Sequence, residues 1–176
     1  TGYQAGVYAA GLEMPTAMAF GPDGRLYVAE IKGNIIAIEG SDETGRSTRQ
    51  WIFSQGPSVS QFYSPLGLAW RNDDLYVSSH NRIYAIRNAA GAEIGGEPEE
   101  IIGELYVRGQ HENNGIAFGP DDKLYITSGS TGNVVEQPHP FNAAILQANP
   151  DGTGLRVYAS GLRNPYSLAF DREGRL

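Results

Sequence analysis

A pattern that returns about every 50 residues constrains this 176-residue chain more than any other feature. Each copy contains a short apolar segment that ends in an aromatic residue, at Phe20, Trp70, Phe118 and Phe170. Residues 161–176 repeat the pattern of residues 11–26, including the closing Gly-Arg-Leu. Repeats of this length indicate stacked structural units, because one unit cannot bury its apolar face alone.

Each repeat contains four short strand patterns. An apolar strand is followed by a tight polar turn, such as Asp23-Gly24, and then by a strand that alternates around a tyrosine. Two further strand patterns complete the unit, and no convincing amphipathic helix pattern is present. Four antiparallel strands per unit predict an all-β fold, a β-propeller built from four-stranded antiparallel blades.

The repeat predicts a partial β-propeller over residues 1–176. Its expected parts are the outer strand of a preceding blade, three blades and the start of a further blade, at residues 1–10, 11–60, 61–108, 109–160 and 161–176. Three blades leave open sheet faces and cannot close a ring. We therefore expect about half of a six-bladed ring, completed by the remainder of a longer polypeptide or by a second chain. The first is favoured, because two identical chains would bring duplicated ends into competition.

Composition narrows the partners that we expect. Thirteen lysine and arginine residues stand against 20 aspartate and glutamate residues, which gives a net charge of −7. The cations are scattered, so no nucleic acid partner is expected. The absence of cysteine excludes disulfides and thiolate metal sites. No stretch approaches the roughly 18 apolar residues of a membrane-spanning helix, so no membrane span is expected.

Strand direction predicts where a site lies. Antiparallel strands alternate in direction, so their connections divide between the two faces of the propeller. The short polar turns share one face, and the segments that enter each inner strand share the other with a long loop, 129–142, which can wall a pocket. Five polar residues are thereby expected near one mouth of the channel, namely His111, Glu112, Asn113, Arg163 and Asn164.

Several of these residue types can carry chemistry. His111 is a candidate general base, because imidazole titrates near neutral pH and a neighbouring carboxylate can tune it. His80 lies on the same face and is a second candidate, whereas His139, between two prolines, is interpreted as a structural loop residue. Arg163 and Asn164 can hold an anionic ligand through guanidinium and amide donors. The Asn-Pro step can equally serve only to turn the chain into the next strand.

Two stretches resemble the soluble quinoprotein glucose/sorbosone dehydrogenases. Residues 110–125 contain His111 and resemble the histidine-bearing blade of that family. Residues 145–152 and 158–165 resemble its next motif, which ends in Gly-Leu-Arg-Asn-Pro. Their order and spacing agree over nearly the whole chain. The resemblance implies a six-bladed propeller that binds pyrroloquinoline quinone (PQQ) near its axis, with calcium against the cofactor. It also implies an exported protein, periplasmic or secreted.

The resemblance implies a role for each candidate residue. His111 would accept the proton of the anomeric hydroxyl of an aldose while hydride passes to the quinone. Arg163 would stabilise charge on the quinone oxygen, and Asn164 would orient the cofactor. The glutamine that contacts the cofactor in that family aligns with Phe62, so Gln61, our further candidate for cofactor binding, is one residue out of register. Calcium ligands are expected outside this chain, and the electron acceptor is not identified.

Two other functions stay open at this point. A non-enzymatic propeller could use the same mouth to bind a carbohydrate or a protein, and loss of PQQ binding in the complete propeller would favour it. A calcium-dependent lactonase of the gluconolactonase type would need carboxylate and amide ligands around the axis. Glu30 and Asn113 are the candidates for those ligands.

Overall fold

A computed structural model describes residues 2–55, 63–106 and 108–176. Blade 1 consists of β1 (Pro15–Phe20), β2 (Leu26–Glu30), β3 (Asn34–Glu39) and β4 (Arg49–Gln55). Blade 2 consists of β5 (Gly67–Arg71), β6 (Asp74–Ser79), β7 (Arg82–Ile86) and β8 (Glu99–Ile102). Blade 3 consists of β9 (Asn113–Phe118), β10 (Leu124–Ser128), β11 (Ala144–Ala148) and β12 (Arg156–Ser160).

The three sheets are each four-stranded and antiparallel, with the strands in sequence order from inner to outer edge. The described ranges contain only strands, turns and irregular segments, and no helix in them is long and apolar enough to cross a membrane. The predicted all-β fold, with four-stranded antiparallel propeller blades, is confirmed.

The second strand of each blade is buried along almost its whole length. β2 and β10 are buried at every position, because neighbouring strands cover their edges and neighbouring blades or loops cover their faces. β2 reads Leu-Tyr-Val-Ala-Glu and β10 reads Leu-Tyr-Ile-Thr-Ser, so each begins with three apolar residues that enter the core. The turn before β2 follows the sequence signal: Gly24 has a φ of 80°, and Asp23 Oδ1 accepts a hydrogen bond from the Arg25 N–H at 3.2 Å.

One aromatic pair recurs at each blade junction. A tyrosine from the second strand of one blade meets, edge to face, the aromatic residue that ends the inner segment of the next. The ring centroids lie 4.8–4.9 Å apart in Tyr27–Trp70, Tyr76–Phe118 and Tyr125–Phe170. Buried apolar clusters surround the first two pairs. The aromatic residue that marks the repeat in the sequence is therefore the residue that packs one blade onto the next.

A buried tyrosine also ties blade 1 to blade 2 through polar contacts. The Tyr27 hydroxyl donates to Asp23 Oδ2 at 2.8 Å, and the Gly91 N–H of blade 2 donates to the same oxygen at 2.9 Å. Burial, with the Asp23 carboxylate as a further cause, raises the pKa of Tyr27 to about 12. The phenol therefore stays protonated and keeps donating at physiological pH.

The inner strands of neighbouring blades approach closely at two glycines that occupy the same repeat position. A Cβ on Gly67 would lie 2.5 Å from the Asn114 carbonyl oxygen, and one on Gly115 would lie 3.0 Å from the Ser167 Cα. The Gly115 N–H donates to the Tyr166 carbonyl oxygen at 3.0 Å. This close packing brings the segments that precede the inner strands together around the axis.

Two predicted strands are not formed. The pattern predicts an inner strand at residues 166–170 and an outer strand at residues 1–10, but residues 166–170 and the described residues 2–10 are not regular β-structure. A strand needs a neighbouring ladder partner, and in the described part of the chain neither segment has a complete one. Tyr8 and Leu12 instead pack against the open face of blade 1.

The open face of blade 1 carries exposed apolar side chains. Phe20 is 70% exposed and Met18 is 71% exposed, above a cluster that contains Val28 and Ile38. Phe20 occupies the same repeat position as Trp70, yet no tyrosine among the described residues packs against it. The face has the apolar composition of a blade junction.

Candidate functional site

The backbone around His111 is held by the loop that follows β10. The Gln110 N–H donates to the Thr131 carbonyl oxygen at 3.1 Å, and the Gly129 N–H donates to the Glu112 carbonyl oxygen at 3.0 Å. These two bonds continue the β9–β10 pairing beyond the strand ends. His111 is therefore fixed by the sheet, although it lies in a connecting segment.

Gly129 lies directly against His111. A Cβ at position 129 would lie 2.4 Å from the His111 Cβ and 2.8 Å from the Glu112 carbonyl oxygen. Atoms do not approach so closely without a backbone shift, so the position accepts only glycine while His111 stays in place.

Ser130 determines which nitrogen of His111 carries a proton. The imidazole Nδ1 lies 2.9 Å from Ser130 Oγ and 3.1 Å from the Ser130 carbonyl oxygen. The Ser130 hydroxyl donates its single proton to the Gly132 carbonyl oxygen at 2.7 Å. Both Ser130 oxygens therefore act as acceptors toward the ring, and Nδ1 is the donor. In the neutral ring Nε2 then keeps its lone pair, which is the form that a general base requires.

Ser130 also connects His111 to Arg163. Its backbone N–H donates to the Arg163 carbonyl oxygen at 2.7 Å. The Arg163 side chain is exposed, and Nη1 donates to Asn133 Oδ1 in the long loop. The other guanidinium N–H groups donate to no residue in the described ranges, so they can bind an anionic group.

Asn164 is oriented by a buried neighbour. Asn114 Nδ2 donates to Asn164 Oδ1 at 2.9 Å and to the Pro165 carbonyl oxygen at 3.2 Å. The Asn164 side-chain carbonyl is thereby engaged, which leaves its amide N–H groups as the donors it can offer. Arg163 and Asn164 thus present N–H donors in succession. This donor set suits an anion rich in acceptor oxygens, and PQQ, with its carboxylates and quinone oxygens, is such a group.

Gln61 and Phe62 lie outside the described residues, so the role of Gln61 in cofactor binding stays a prediction. Within the described ranges, no group of three or more histidine, cysteine, aspartate or glutamate side chains could hold a metal ion. The prediction that calcium ligands come from outside this chain is likewise untested.

The two lactonase candidates are engaged in structural contacts. Asn113 is completely buried, where its Nδ2 donates to Ser78 Oγ at 2.7 Å and its Oδ1 accepts from the Asn81 N–H at 2.6 Å. Glu30 is 3% exposed and accepts from Asn34 Nδ2 at 3.0 Å. Both side chains are buried and hydrogen-bonded within the protein, so these contacts favour structural roles for both.

The long loop 129–142 is pinned at its far end. The His139 ring stacks on Tyr106 with centroids 3.9 Å apart, and Asn142 Nδ2 donates to the Tyr106 carbonyl oxygen at 2.9 Å. These contacts support the structural interpretation of His139. The loop walls a cavity of about 900 Å³ whose lining includes Ser130 and Arg163 but not His111.

Ser130 is the site residue that sequence reasoning did not identify. It lies in the long loop that is predicted to wall a pocket, but one serine among several has no distinguishing spacing or neighbour. Its importance arises from the loop conformation, which brings its N–H, its carbonyl and its hydroxyl to three different partners.

Solved structures that resemble this chain include sugar dehydrogenases. The PQQ-bound aldose sugar dehydrogenase from Streptomyces coelicolor matches with 27% identity and a TM-score of 0.72, over 96% of this chain and 56% of that one. A protein from Thermus thermophilus described as an oxidoreductase (glucose dehydrogenase) matches with 28% identity and a TM-score of 0.70, over 93% and 56%. The resemblance to quinoprotein sugar dehydrogenases is confirmed.

A structure described as a gluconolactonase matches with 18% identity and a TM-score of 0.67, over 95% of this chain and 56% of that one, and this likeness shows the fold alone. The chain thus spans about 56% of the length of each of these three structures. No curated protein matches it. A family model described as "Domain of unknown function (DUF7133)" matches residues 2–176, and the chain belongs to that family.

Proposed function

We propose that this chain supplies about half of a quinoprotein oxidoreductase, which oxidises the anomeric hydroxyl of an aldose by hydride transfer to PQQ. The observation that carries the proposal is the His111–Ser130 contact, which leaves Nε2 of the imidazole as a base beside the Arg163–Asn164 segment. The likeness to a PQQ-bound aldose sugar dehydrogenase at 27% identity supports the same chemistry.

His111 acts on the sugar hydroxyl. Nε2 accepts the hydroxyl proton, and the Nδ1–H bonds to Ser130 hold the ring in one orientation before and after the transfer. A fixed ring spends no free energy on reorienting, which is how a positioned base contributes to the rate. Bound PQQ supplies the electron-deficient quinone that accepts the hydride.

Arg163 and Asn164 hold the cofactor. Their N–H groups would bind its carboxylate or quinone oxygens, and the guanidinium charge would favour negative charge on those oxygens. Asn114 fixes the orientation of Asn164 and so keeps its amide donors available. Arg163 and Asn164 would then be the residues of this chain that hold PQQ.

We expect Arg163→Ala to raise the Kd of the complete protein for PQQ by roughly 10- to 100-fold, because charge-assisted hydrogen bonds are lost. Fluorescence or calorimetric titration with PQQ measures the change. Arg172→Ala is the matched control, since Arg172 is exposed and lies in the predicted turn on the opposite face. Equal PQQ affinity in the two variants would contradict the assigned role of Arg163.

Calcium and export belong to the same proposal. Calcium ligands would come from the remainder of the propeller, because the described part of this chain offers no cluster for a metal. A periplasmic or secreted location would follow from the resemblance. A lactonase function is not favoured, because Glu30 and Asn113 are both engaged in structural contacts.

We also propose that the ring closes on the open face of blade 1. The blade order expected from the repeat would then stand, with residues 1–10 as the outer strand of the preceding blade and residues 161–176 as the start of the following one. Three junctions use a tyrosine against an aromatic residue of the next blade. The exposed Phe20 would receive the equivalent tyrosine of the last blade of the ring.

Phe20→Ala should therefore lower the free energy of unfolding of the complete protein by about 3 kcal/mol or more, as a truncated buried phenylalanine does. Chemical denaturation measures the loss. Phe118→Ala is the positive control, because Phe118 already packs on Tyr76, and Ile94→Ala is the negative control, because Ile94 is 74% exposed. If Phe20→Ala costs no more than Ile94→Ala, the ring does not close there.

A further inference from the structure

A second histidine–carboxylate pair lies beside the proposed base. His80 follows β6 of blade 2, and Glu112 precedes β9 of blade 3, next to His111. The His80 Nδ1 forms a hydrogen bond with Glu112 Oε2, which joins the two blades. Both side chains are partly exposed, at 42% and 31%. The mechanism proposed above uses neither of them.

Backbone contacts fix both members of this pair. The His80 N–H donates to the Tyr63 carbonyl oxygen at 2.9 Å, and the Glu112 carbonyl oxygen accepts from Gly129 at 3.0 Å. The buried Asn113 donates to the carbonyl oxygen of Ser79, the residue before His80, at 2.7 Å. Exposed ion pairs stabilise proteins by only about 0–1 kcal/mol. The backbone contacts therefore hold both residues in place independently of the weak pairing of their side chains.

The pair presents two hydrogen-bond acceptors. Because Glu112 is a carboxylate acceptor, His80 Nδ1 is the donor, and Nε2 of the neutral ring keeps its lone pair. The second carboxylate oxygen of Glu112 accepts no hydrogen bond from any residue in the described ranges. A ligand with two neighbouring hydroxyl donors, such as a sugar, complements this arrangement.

An aromatic ring borders the acceptors. Tyr63 packs edge to face against His80 with centroids 5.7 Å apart, and its side chain is 62% exposed. A pocket that combines an apolar aromatic surface with a few placed polar groups can hold the C–H face of a sugar while its hydroxyls are bound. A metal would need a third ligand, which the described residues do not offer.

We propose that Tyr63, His80 and Glu112 form a sugar-recognition patch. Glu112 and His80 accept hydrogen bonds from two neighbouring hydroxyls, and the Tyr63 ring packs on the C–H face beside them. The proposal rests on the proposed function, because the bound sugar is the aldose that His111 would deprotonate. Residues of blades 2 and 3 would therefore determine which sugars the protein prefers.

Glu112→Gln tests the patch in the complete protein with PQQ and calcium. Glucose, galactose, mannose and xylose serve as probes, with saturation-transfer NMR for binding and steady-state kinetics for turnover. We expect KM for the best of these sugars to rise at least about tenfold, because an acceptor charge is lost, while kcat changes less than about twofold. Glu100→Gln is the control, since Glu100 pairs with Arg82 on the exposed edge of blade 2 and should leave KM unchanged.

Tyr63→Leu is a second variant that removes the aromatic ring and keeps the backbone carbonyl that accepts the His80 N–H. It should raise KM at least about fivefold with an unchanged melting temperature. Unchanged KM and sugar binding in both variants, or no binding of any of the four sugars by the wild type, would overturn the patch. The wild type could also bind a sugar that Glu112→Gln no longer binds, and yet oxidise none of the four sugars. That result would overturn the proposed function but leave the sugar-recognition patch standing.

Discussion

Replacing His111 with alanine is expected to lower kcat for aldose oxidation by about 10²- to 10⁴-fold, the contribution of a positioned general base. PQQ affinity should stay within about twofold of the wild type, because the cofactor donors on Arg163 and Asn164 are untouched. Steady-state kinetics and PQQ titration of the complete protein measure the two quantities. The separation of the two effects is the signature of a base, as opposed to a residue that holds the cofactor.

Chemical rescue distinguishes a missing base from a damaged site. The space left by the imidazole borders Ser130, whose two acceptor oxygens can hold the N–H of free imidazole. Added imidazole should restore part of the lost rate to His111→Ala and leave the wild type unaffected. A variant that keeps near wild-type kcat would show that another group removes the proton.

Gly129→Ala should impair the same site without changing any polar group. The added Cβ would lie 2.4 Å from the His111 Cβ and 2.8 Å from the Glu112 carbonyl oxygen, so the segment that carries His111 must move away. A displacement of a catalytic group by about 1 Å can cost roughly 10²-fold in rate. We therefore expect kcat to fall by about that factor, together with a lower melting temperature.

Gly21→Ala is the matched control for this effect. Its Cβ would lie 2.5 Å from Asp23 Oδ1 and 2.8 Å from the Tyr27 ring, so it disturbs an equally close contact in blade 1. We expect a comparable loss of melting temperature with little change in the kcat of the folded protein. If both variants lose activity in proportion to stability, Gly129 has no specific role in placing His111.

The strands could be predicted because the residues that repeat in the sequence are the residues that pack one blade against the next. Trp70, Phe118 and Phe170 recur in the sequence because each closes a junction against a tyrosine of the preceding blade. Residues 2–10 and 166–170 differ from the prediction because a strand pattern is realised only beside a pairing partner. The local sequence indicates that a segment favours a strand, but it does not indicate whether another strand lies beside that segment to pair with it.

The site was only partly accessible from the sequence. Alternating strand direction and the family resemblance together indicated His111 and Arg163, residues 52 positions apart that the structure joins through Ser130. Ser130 itself, and the pairing of His80 with Glu112, depend on loop conformation and on contacts between blades. The sequence pattern around one residue does not indicate which distant residues it contacts, so these two features are seen only in the structure.

Anaerobic single-turnover mixing of the complete protein, loaded with PQQ and calcium, with an aldose tests the central claim most directly. We expect the absorption of bound PQQ to change to that of its reduced form, in step with formation of one equivalent of lactone, and we expect His111→Ala to slow both signals equally. Wild-type protein that binds both PQQ and the sugar, but reduces no PQQ and forms no lactone, would contradict the proposed function.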